Sequence, residues 1–314
     1  MLLYTVQRIG LAGLIVLVAM VMLFGMIYLV PGDPASIALG PRATPEMKAA
    51  LHERMGLDKP IPVQLFNFIS GVLTGNLGVD VWSNRSVATI VLEALPHTLA
   101  LTALGLGWSV TLGIVLGCFS ATHRGSWIDR AIGVISVSAI AVPSFVVALY
   151  ALIVFAVMLK WLPAIGAGQA GDPGDQLRHL ILPAFAIGLG WVGYIARLVR
   201  ASMLEVMGDN FIRTARAFGL PERRIIYRYA LTVAILPTVA LLGVGIGNLL
   251  SGAVFAEIVF ARPGIGKLIY DSVLNRNYPV VMGAVLVTTI LYVLATLIAD
   301  LLAALLNPRV RANF

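Results

Sequence analysis

Few side chains in this sequence combine a reactive type with a suitable setting. Glu257 and Asp300 lie within long apolar runs, and His97 opens another. An ionisable group in such a run is a functional candidate by default, as a gate, a relay or a paired anchor. Nothing here forms a series of acids able to pass protons along, so Glu257 and Asp300 are expected to pair with a nearby arginine or backbone donor. Gly188-Leu189-Gly190-Trp191-Val192-Gly193 fits the G-x-G-x-x-G nucleotide pattern. It sits inside an apolar run and not at a strand-to-helix turn, so a dinucleotide site is rejected. Gly266-Lys267 resembles the end of a phosphate loop, yet Ala261 fills the first glycine position and Leu268 replaces the required Ser or Thr. No H-E-x-x-H occurs, and no nucleophile stands in a recognisable setting. The one cysteine, Cys118, excludes an intrachain disulfide or a cysteine metal cage and reads as a small core residue. The chain is therefore expected to be no enzyme and to hold no cofactor or metal of its own. Its energy must come from another subunit or from an ion gradient.

The elements that position these residues follow from composition. Of 314 residues, 59% are hydrophobic and 12% charged, against about 25% charged in a soluble domain. The mean hydropathy is +0.94. So few charges cannot cover a water-facing surface, and the remaining surface is expected to face membrane lipid. The net charge of +7 is read by location, not as a nucleic-acid footprint, and no nucleic-acid partner is expected. Six runs reach the roughly 20 residues needed to cross a bilayer: Ile9–Val30, Pro96–Ser120, Ala131–Leu159, Ile181–Ser202, Leu231–Glu257 and Val280–Leu306. Lipid leaves open spans no other way to pair backbone groups, so all six must be helices. The expected fold class is all-α, a polytopic membrane protein with six transmembrane helices. The first run is too long for a signal-peptide core and no small-x-small cleavage site follows it, so it reads as an uncleaved helix. No internal repeat or low-complexity segment is evident.

Six crossings put both termini on one side. The segments on that side hold twelve basic and four acidic residues, and the opposite side is neutral. The positive-inside rule then places both termini in the cytoplasm. The chain divides into an N-terminal helix (1–30), an extracytoplasmic segment (31–95), a five-helix core (96–306) and a tail (307–314). The outer segment reads as ordered. Thr44-Pro45-Glu46 supplies an N-cap, N1 and a first-turn acid, Met47, Leu51 and Met55 share a face, and Gly56 ends the helix. A second helix is expected over Pro62–Leu73, ending near Gly75, its apolar residues lying on the membrane or on neighbouring helices.

The most informative stretch is the cytoplasmic loop at 203–230. Asp209 or Asn210 can cap a short helix to which Phe211, Ile212, Ala215 and Phe218 give an apolar face. Gly219 ends it, and Pro221 starts the next helix at N1, which runs into span five. Thr214, Ala215, Ala217 and Gly219 are small enough for another protein to approach the backbone, and Arg213 and Arg216 suit an acidic partner surface or lipid phosphates. On pattern alone, a basic loop that happens to be amphipathic explains the stretch equally well.

Phe211-Ile212-Arg213-Thr214-Ala215-Arg216-Ala217-Phe218-Gly219-Leu220 resembles the EAA loop of ABC importer permeases, in the branch that carries dipeptides, oligopeptides, glutathione and nickel. The likeness extends along almost the whole chain, through Pro31-Gly32-Asp33-Pro34-Ala35, Met55-Gly56-Leu57-Asp58-Lys59-Pro60, Gly75-Asn76-Leu77-Gly78 and Arg124-Gly125-Ser126-Trp127-Ile128-Asp129-Arg130. It continues through Trp161-Leu162-Pro163-Ala164, Val259–Leu268, Asn277-Tyr278-Pro279-Val280-Val281 and Asn307-Pro308-Arg309-Val310-Arg311. The chain departs from the branch at Phe218, Tyr229 and Thr232-Val233, where Lys, His and Arg-Asn are usual.

The resemblance implies the first of two membrane subunits of an ATP-driven importer in a bacterial inner membrane. It implies a second homologous permease, two ATP-binding cassette subunits that hold ATP and Mg, and an external solute-binding protein. Asp209 to Pro221 would be the coupling helix seated in a groove of the ATPase, and Glu257 and Asp300 would be gating or structural acids. The implied solutes are short peptides or glutathione-like compounds, with nickel chelates or opine-like compounds as the alternative. A stand-alone secondary transporter would need mid-membrane ionisable residues and often internal repeats, and a membrane-embedded enzyme would need a catalytic pair. Neither signal is present.

Overall fold

A computed structural model of the chain describes residues 2–29, 44–55 and 58–306. The expectations placed on Pro31–Ala35, on Gly56 and on the tail from residue 307 lie outside the described residues. The helices are α1 (Leu2–Leu29), α2 (Pro45–Met55), α3 (Ile61–Leu73), α4 (Val87–Thr122), α5 (Trp127–Ala141) and α6 (Ser144–Ala151). A π-helical segment, Leu152–Met158, continues α6. Then follow α7 (Pro173–Val206), α8 (Asn210–Ala217), α9 (Glu222–Arg224, a π-helical segment Ile225–Ala230, and Leu231–Ala234), α10 (Leu236–Val259), α11 (Ile265–Leu274) and α12 (Tyr278–Leu306). Among the described residues the only β pairing is an isolated bridge between Val79 and Ser86.

Five of these helices are long and apolar enough to cross a membrane. The expected third span is not one helix. Pro143 has no N–H to donate and biases Val142 to extended backbone (ψ 122), so the run breaks there and α5 meets α6 at 100°. The six-span reading therefore requires the bent pair to act as one crossing. Contacts along α7 follow its course. Asp129 meets Arg200, Gly193 lies against the Ser136 backbone, and Ala148 and Ala151 cluster with Leu182 and Ala186.

Spans two and four extend beyond their expected ends. Pro96 and Pro183 lie inside α4 and α7 and do not start or break them. A proline leaves the carbonyl four residues earlier without a helical donor. For Pro183 that carbonyl belongs to His179, and Arg262 Nη1 donates to it at 3.3 Å. Span five begins later than expected: the helix entering it stops at Ala234, and α10 restarts with Pro237 in its first turn.

The core is the α4–α7 pair. A Cβ on Gly113 would lie 2.7 Å from Ile195 Cβ, and one on Gly117 would lie 2.6 Å from the Ala196 carbonyl, so both glycines are needed for the approach. Trp108 Nε1 donates to the Ala184 carbonyl at 2.9 Å and Ser109 Oγ to the Gly188 carbonyl at 3.0 Å. Gly243 and Gly247 of α10 pack likewise on Ala299 and Tyr292 of α12. Both small-xxx-small pairs thus serve packing within the chain. The glycines at 188, 190 and 193 lie against Trp108, Ala139 and Ser136, which gives that nucleotide-like pattern a packing role. Met20 and Leu23 tie α1 to Leu286 of α12 and to Phe68, Ile69 and Val72 of α3. The register of these pairs puts the α1 start, the α4 and α7 ends and the α12 end at one pole of the bundle. The α4 and α7 starts, the α10 end and α11 occupy the other.

Candidate functional site

The loop between α7 and α10 forms as the sequence predicts, with corrections of detail. Asp209 occupies the N-cap position of α8 but makes no side-chain cap bond. Gly219, at φ 74°, closes the helix: its N–H donates to the Arg216 carbonyl (2.9 Å) and the Leu220 N–H to the Ala215 carbonyl (3.3 Å). That double bond pattern is a Schellman ending, which needs a left-handed residue. Pro221 is the N-cap of the next helix, one position before the expected N1.

The apolar side chains of α8 divide between two directions. Ile212 and Ala215 are buried in a cluster with Cys118 and Ala121 of α4, Val199, Met203 and Val206 of α7, and Ile225 and Ala230 of α9. Phe211 and Phe218 point away, and Phe218 is 81% exposed. Their placement corrects the single apolar face drawn from the sequence. Only the 212/215 stripe can reach α7, and Phe218 lies past the last full turn. Around the exposed phenylalanines stand Asp209, Asn210, Arg213, Thr214, Arg216, Ala217, Gly219 and Pro221, all exposed, with Leu220 half-buried. Arg216 Nε binds Glu222 Oε1 at 2.7 Å. The loop is thus a short lever, bolted to the α4–α7 core on one side and presenting two aromatic rings and arginines on the other.

Two further residues fix the same pole. Arg200 binds Asp129 through two hydrogen bonds (2.6 and 2.8 Å), while Ser120 Oγ and the Gly125 N–H also donate to that carboxylate. This joint between α4, α5 and α7 was not legible in the sequence, because 71 residues separate its partners. Asp300 pairs with Arg8 Nη1 at 2.6 Å, tying α12 to α1.

Glu257 lies at the opposite pole and is fully buried. It accepts from Thr98 Oγ1 (2.6 Å) and from the N–H groups of Gly266 (2.7 Å) and Lys267 (3.1 Å). Those amides belong to the first turn of α11, whose N-cap, Gly264, has no side chain to offer. Glu257 therefore caps α11 from α10, and Thr98 accepts from the Ile265 N–H (2.8 Å) to complete the knot. Arg262, 2% exposed, lies beside it and also donates to the Gly166 carbonyl. Burial lowers the guanidinium's pKa and the Glu257 charge opposes that. Both acids thus have the arginine or backbone partners expected of them. Among the described residues no group of three or more His, Cys, Asp or Glu could hold a metal ion.

A bundle of apolar helices agrees with the comparisons. Residues 113–312 match the family described as the binding-protein-dependent transport system inner membrane component, and residues 1–102 match its N-terminal counterpart. The chain belongs to that family and is a membrane component of a transporter, not an enzyme. It is 37% identical to the glutathione transport system permease protein GsiC of Pectobacterium atrosepticum, over 99% of each chain. It is 35% identical to a probable peptide ABC transporter permease protein, y4tP, of Sinorhizobium fredii, over 98% of this chain and 99% of that one. Among solved structures it resembles the inward-facing MetNI methionine ABC transporter (TM-score 0.58, 19% identity, 69% of this chain and 96% of the other), a likeness of fold. Membership implies an ATPase and a binding protein as partners.

Proposed function

We propose that this chain is one of two homologous permeases of a bacterial inner-membrane ABC importer, forming half of the path for short peptides or glutathione-like solutes. The observation that carries the reading is full-length similarity to permeases named for those solutes, together with the α8 lever. Of two cassette ATPases that hold ATP and Mg, one docks on Asp209–Pro221 in the cytoplasm and the other on the second permease, and lipid surrounds the bundle. Both termini are cytoplasmic, with the bent α5–α6 pair making the third of six crossings. The arginine-rich pole that includes α8 supports that orientation.

The mechanism follows from the attachment. Closure of the ATPases on ATP displaces α8. Because Ile212 and Ala215 are packed into the α4–α7 core, the displacement becomes a rigid-body movement of the bundle between inward and outward access. Glu257 and Asp300 act as structural anchors at the two poles. Purification of the tagged chain from its native membrane tests the assembly, and mass spectrometry should identify a second permease and ATPase subunits. The complex, rebuilt in vesicles with its binding protein, should take up labelled glutathione or dipeptides only with ATP. Uptake of a nickel chelate alone would reassign the solute, and uptake by this chain without ATP would refute the importer reading.

A further inference from the structure

We infer that one face of α10, formed by Val244, Asn248, Ser251 and Phe255, lines the water-filled path, with Asn248 as the side chain that hydrogen-bonds the passing solute. The inference rests on the importer reading above and names the part of the chain that meets the cargo.

Within Leu241–Val259, the exposed residues are these four and no others. Their spacing of 4, 3 and 4 puts them on one stripe of a helix, about 16 Å long. Val244 and Phe255 are 49% and 52% exposed. The stripe is flanked by two clefts, and Val244 and Asn248 line both. One, of about 440 Å³, is closed by Thr288, Thr289 and Tyr292 of α12. The other, of about 480 Å³, is closed by Pro143 and Ser144 at the α5–α6 break and by Trp191 and Tyr194 of α7.

Hydrocarbon is the wrong neighbour for this stripe. A carboxamide has two N–H donors and an oxygen with two lone pairs. The Asn248 amide makes one long bond, Nδ2 to the Val244 carbonyl at 3.4 Å. Lipid offers it nothing further, and an unsatisfied polar group in the bilayer is costly. The exposed residues of α1 from Ile9 to Met22 show what a lipid face looks like, since every one is apolar or glycine. A cleft outside α5 and α6, lined by Val134, Ile135, Tyr150 and Val154, is likewise almost wholly apolar.

The chemistry of the two α10 clefts is uniform. Set among aliphatic side chains, they offer an amide, hydroxyls and aromatic rings, and no ionised side chain. Such a lining exchanges hydrogen bonds with peptide-like amide groups and holds no fixed charge that would trap a charged cargo.

The test uses the assembled transporter in membrane vesicles. Cys118, the single cysteine, is buried and is replaced by alanine. Single cysteines are then placed at 248 and 251 on the stripe and at Ile15 and Val115, exposed positions on α1 and α4. The probe is a permanently charged methanethiosulfonate, which reacts with thiolate in water, and mass spectrometry reads the modification. Asn248→Cys and Ser251→Cys should react at least about tenfold faster than Ile15→Cys or Val115→Cys, because a thiol in apolar surroundings stays protonated. If both stripe cysteines are as slow as the controls, the face is covered by lipid or sealed against another subunit, and the inference fails. Uptake measured on the same vesicles separates the two claims. ATP-driven uptake with an unreactive stripe overturns the inference and leaves the importer reading standing. Reactive stripe cysteines without ATP-driven uptake by the unsubstituted chain refute the importer reading alone.

Discussion

Arg200 and Asp129 are joined by two parallel hydrogen bonds, Nε to Oδ1 at 2.6 Å and Nη2 to Oδ2 at 2.8 Å. The carboxylate is 6% exposed and the arginine 34%. Bidentate geometry is specific to guanidinium, so lysine cannot replace it. Arg200 lies on α7 between Val199 and Met203, which help to seat the α8 lever, and Asp129 opens the bent helix pair. On the coupling proposed above, the pair carries movement of α8 into α5 and α6.

Arg200→Lys and Asp129→Asn should each lower stability by about 2 kcal/mol, the size of a lost charge-assisted hydrogen bond. Thermal unfolding of the purified complex measures that loss. A joint that transmits movement predicts a second effect: ATP hydrolysed per solute imported should rise several-fold. An unchanged ratio in a folded variant would restrict the pair to a structural role.

At the lever, the two directions of its apolar side chains separate docking from folding. Phe218→Asp alters a ring that touches little of its own chain and should preserve the folded permease. A central aromatic contact contributes about 2 kcal/mol to an interface, so ATPase affinity should drop roughly thirtyfold. Ile212→Asp should instead disrupt the lever itself, because that side chain is fully buried. Gly219→Ala places a Cβ at φ 74° and costs about 1–2 kcal/mol. Co-purification with the ATPase, set against thermal unfolding, distinguishes these outcomes. Full ATPase binding by Phe218→Asp would remove the docking assignment.

The long helices were legible because lipid permits little else, and Gly219 because only a left-handed residue closes α8 in this way. Helices α2 and α3 were legible from local signals, and Thr44 Oγ1 does accept from the Met47 N–H at 3.3 Å. What stayed hidden depends on tertiary contact. Pro96 reads as the start of span two, yet α4 runs through it from Val87, and inside span four the carbonyl of His179 freed by Pro183 is met by Arg262, 83 residues away. Pro143 lies in an equally apolar run and does break it. Local sequence does not distinguish these prolines. Asn248 left a usable signal, as the single carboxamide in span five. Its exposure depends on how α7 and α12 flank α10.

The Glu257 knot has no room to adjust. A Cβ on Gly264 would overlap Glu257 Oε1, and one on Gly266 would lie 2.5 Å from Val254 Cα. Gly264→Ala should therefore cost several kcal/mol, in the range reserved for overpacked or broken buried networks. Glu257→Gln should be mild, since its amide oxygen can face the Gly266 and Lys267 N–H groups while its NH₂ faces Thr98 Oγ1. Glu257→Ala leaves both amides without an acceptor and should cost about 2 kcal/mol or more. Unfolding midpoints of the three variants test this order, and Gln behaving as badly as Ala would point to a role for the charge itself.

Outside the bundle, Asp80 predicts a pH dependence. Burial raises its pKa, but the Ser83 hydroxyl, the Trp82 N–H, the Asn277 amide and the Ser83 N–H together outweigh that, and the net shift is downward. These bonds fasten the turn before α4 to the start of α12. With its folded pKa depressed, Asp80 contributes stability above its unfolded value of about 3.9, and the contribution disappears as pH falls through the folded value. Many carboxylates titrate in that window, so the informative quantity is the difference between wild type and Asp80→Asn. The wild-type unfolding midpoint should exceed that of Asp80→Asn by a constant amount between about pH 5 and pH 8, and the two should converge below about pH 4. A gap that persists into acid would show that the aspartate's packing matters and its ionisation does not.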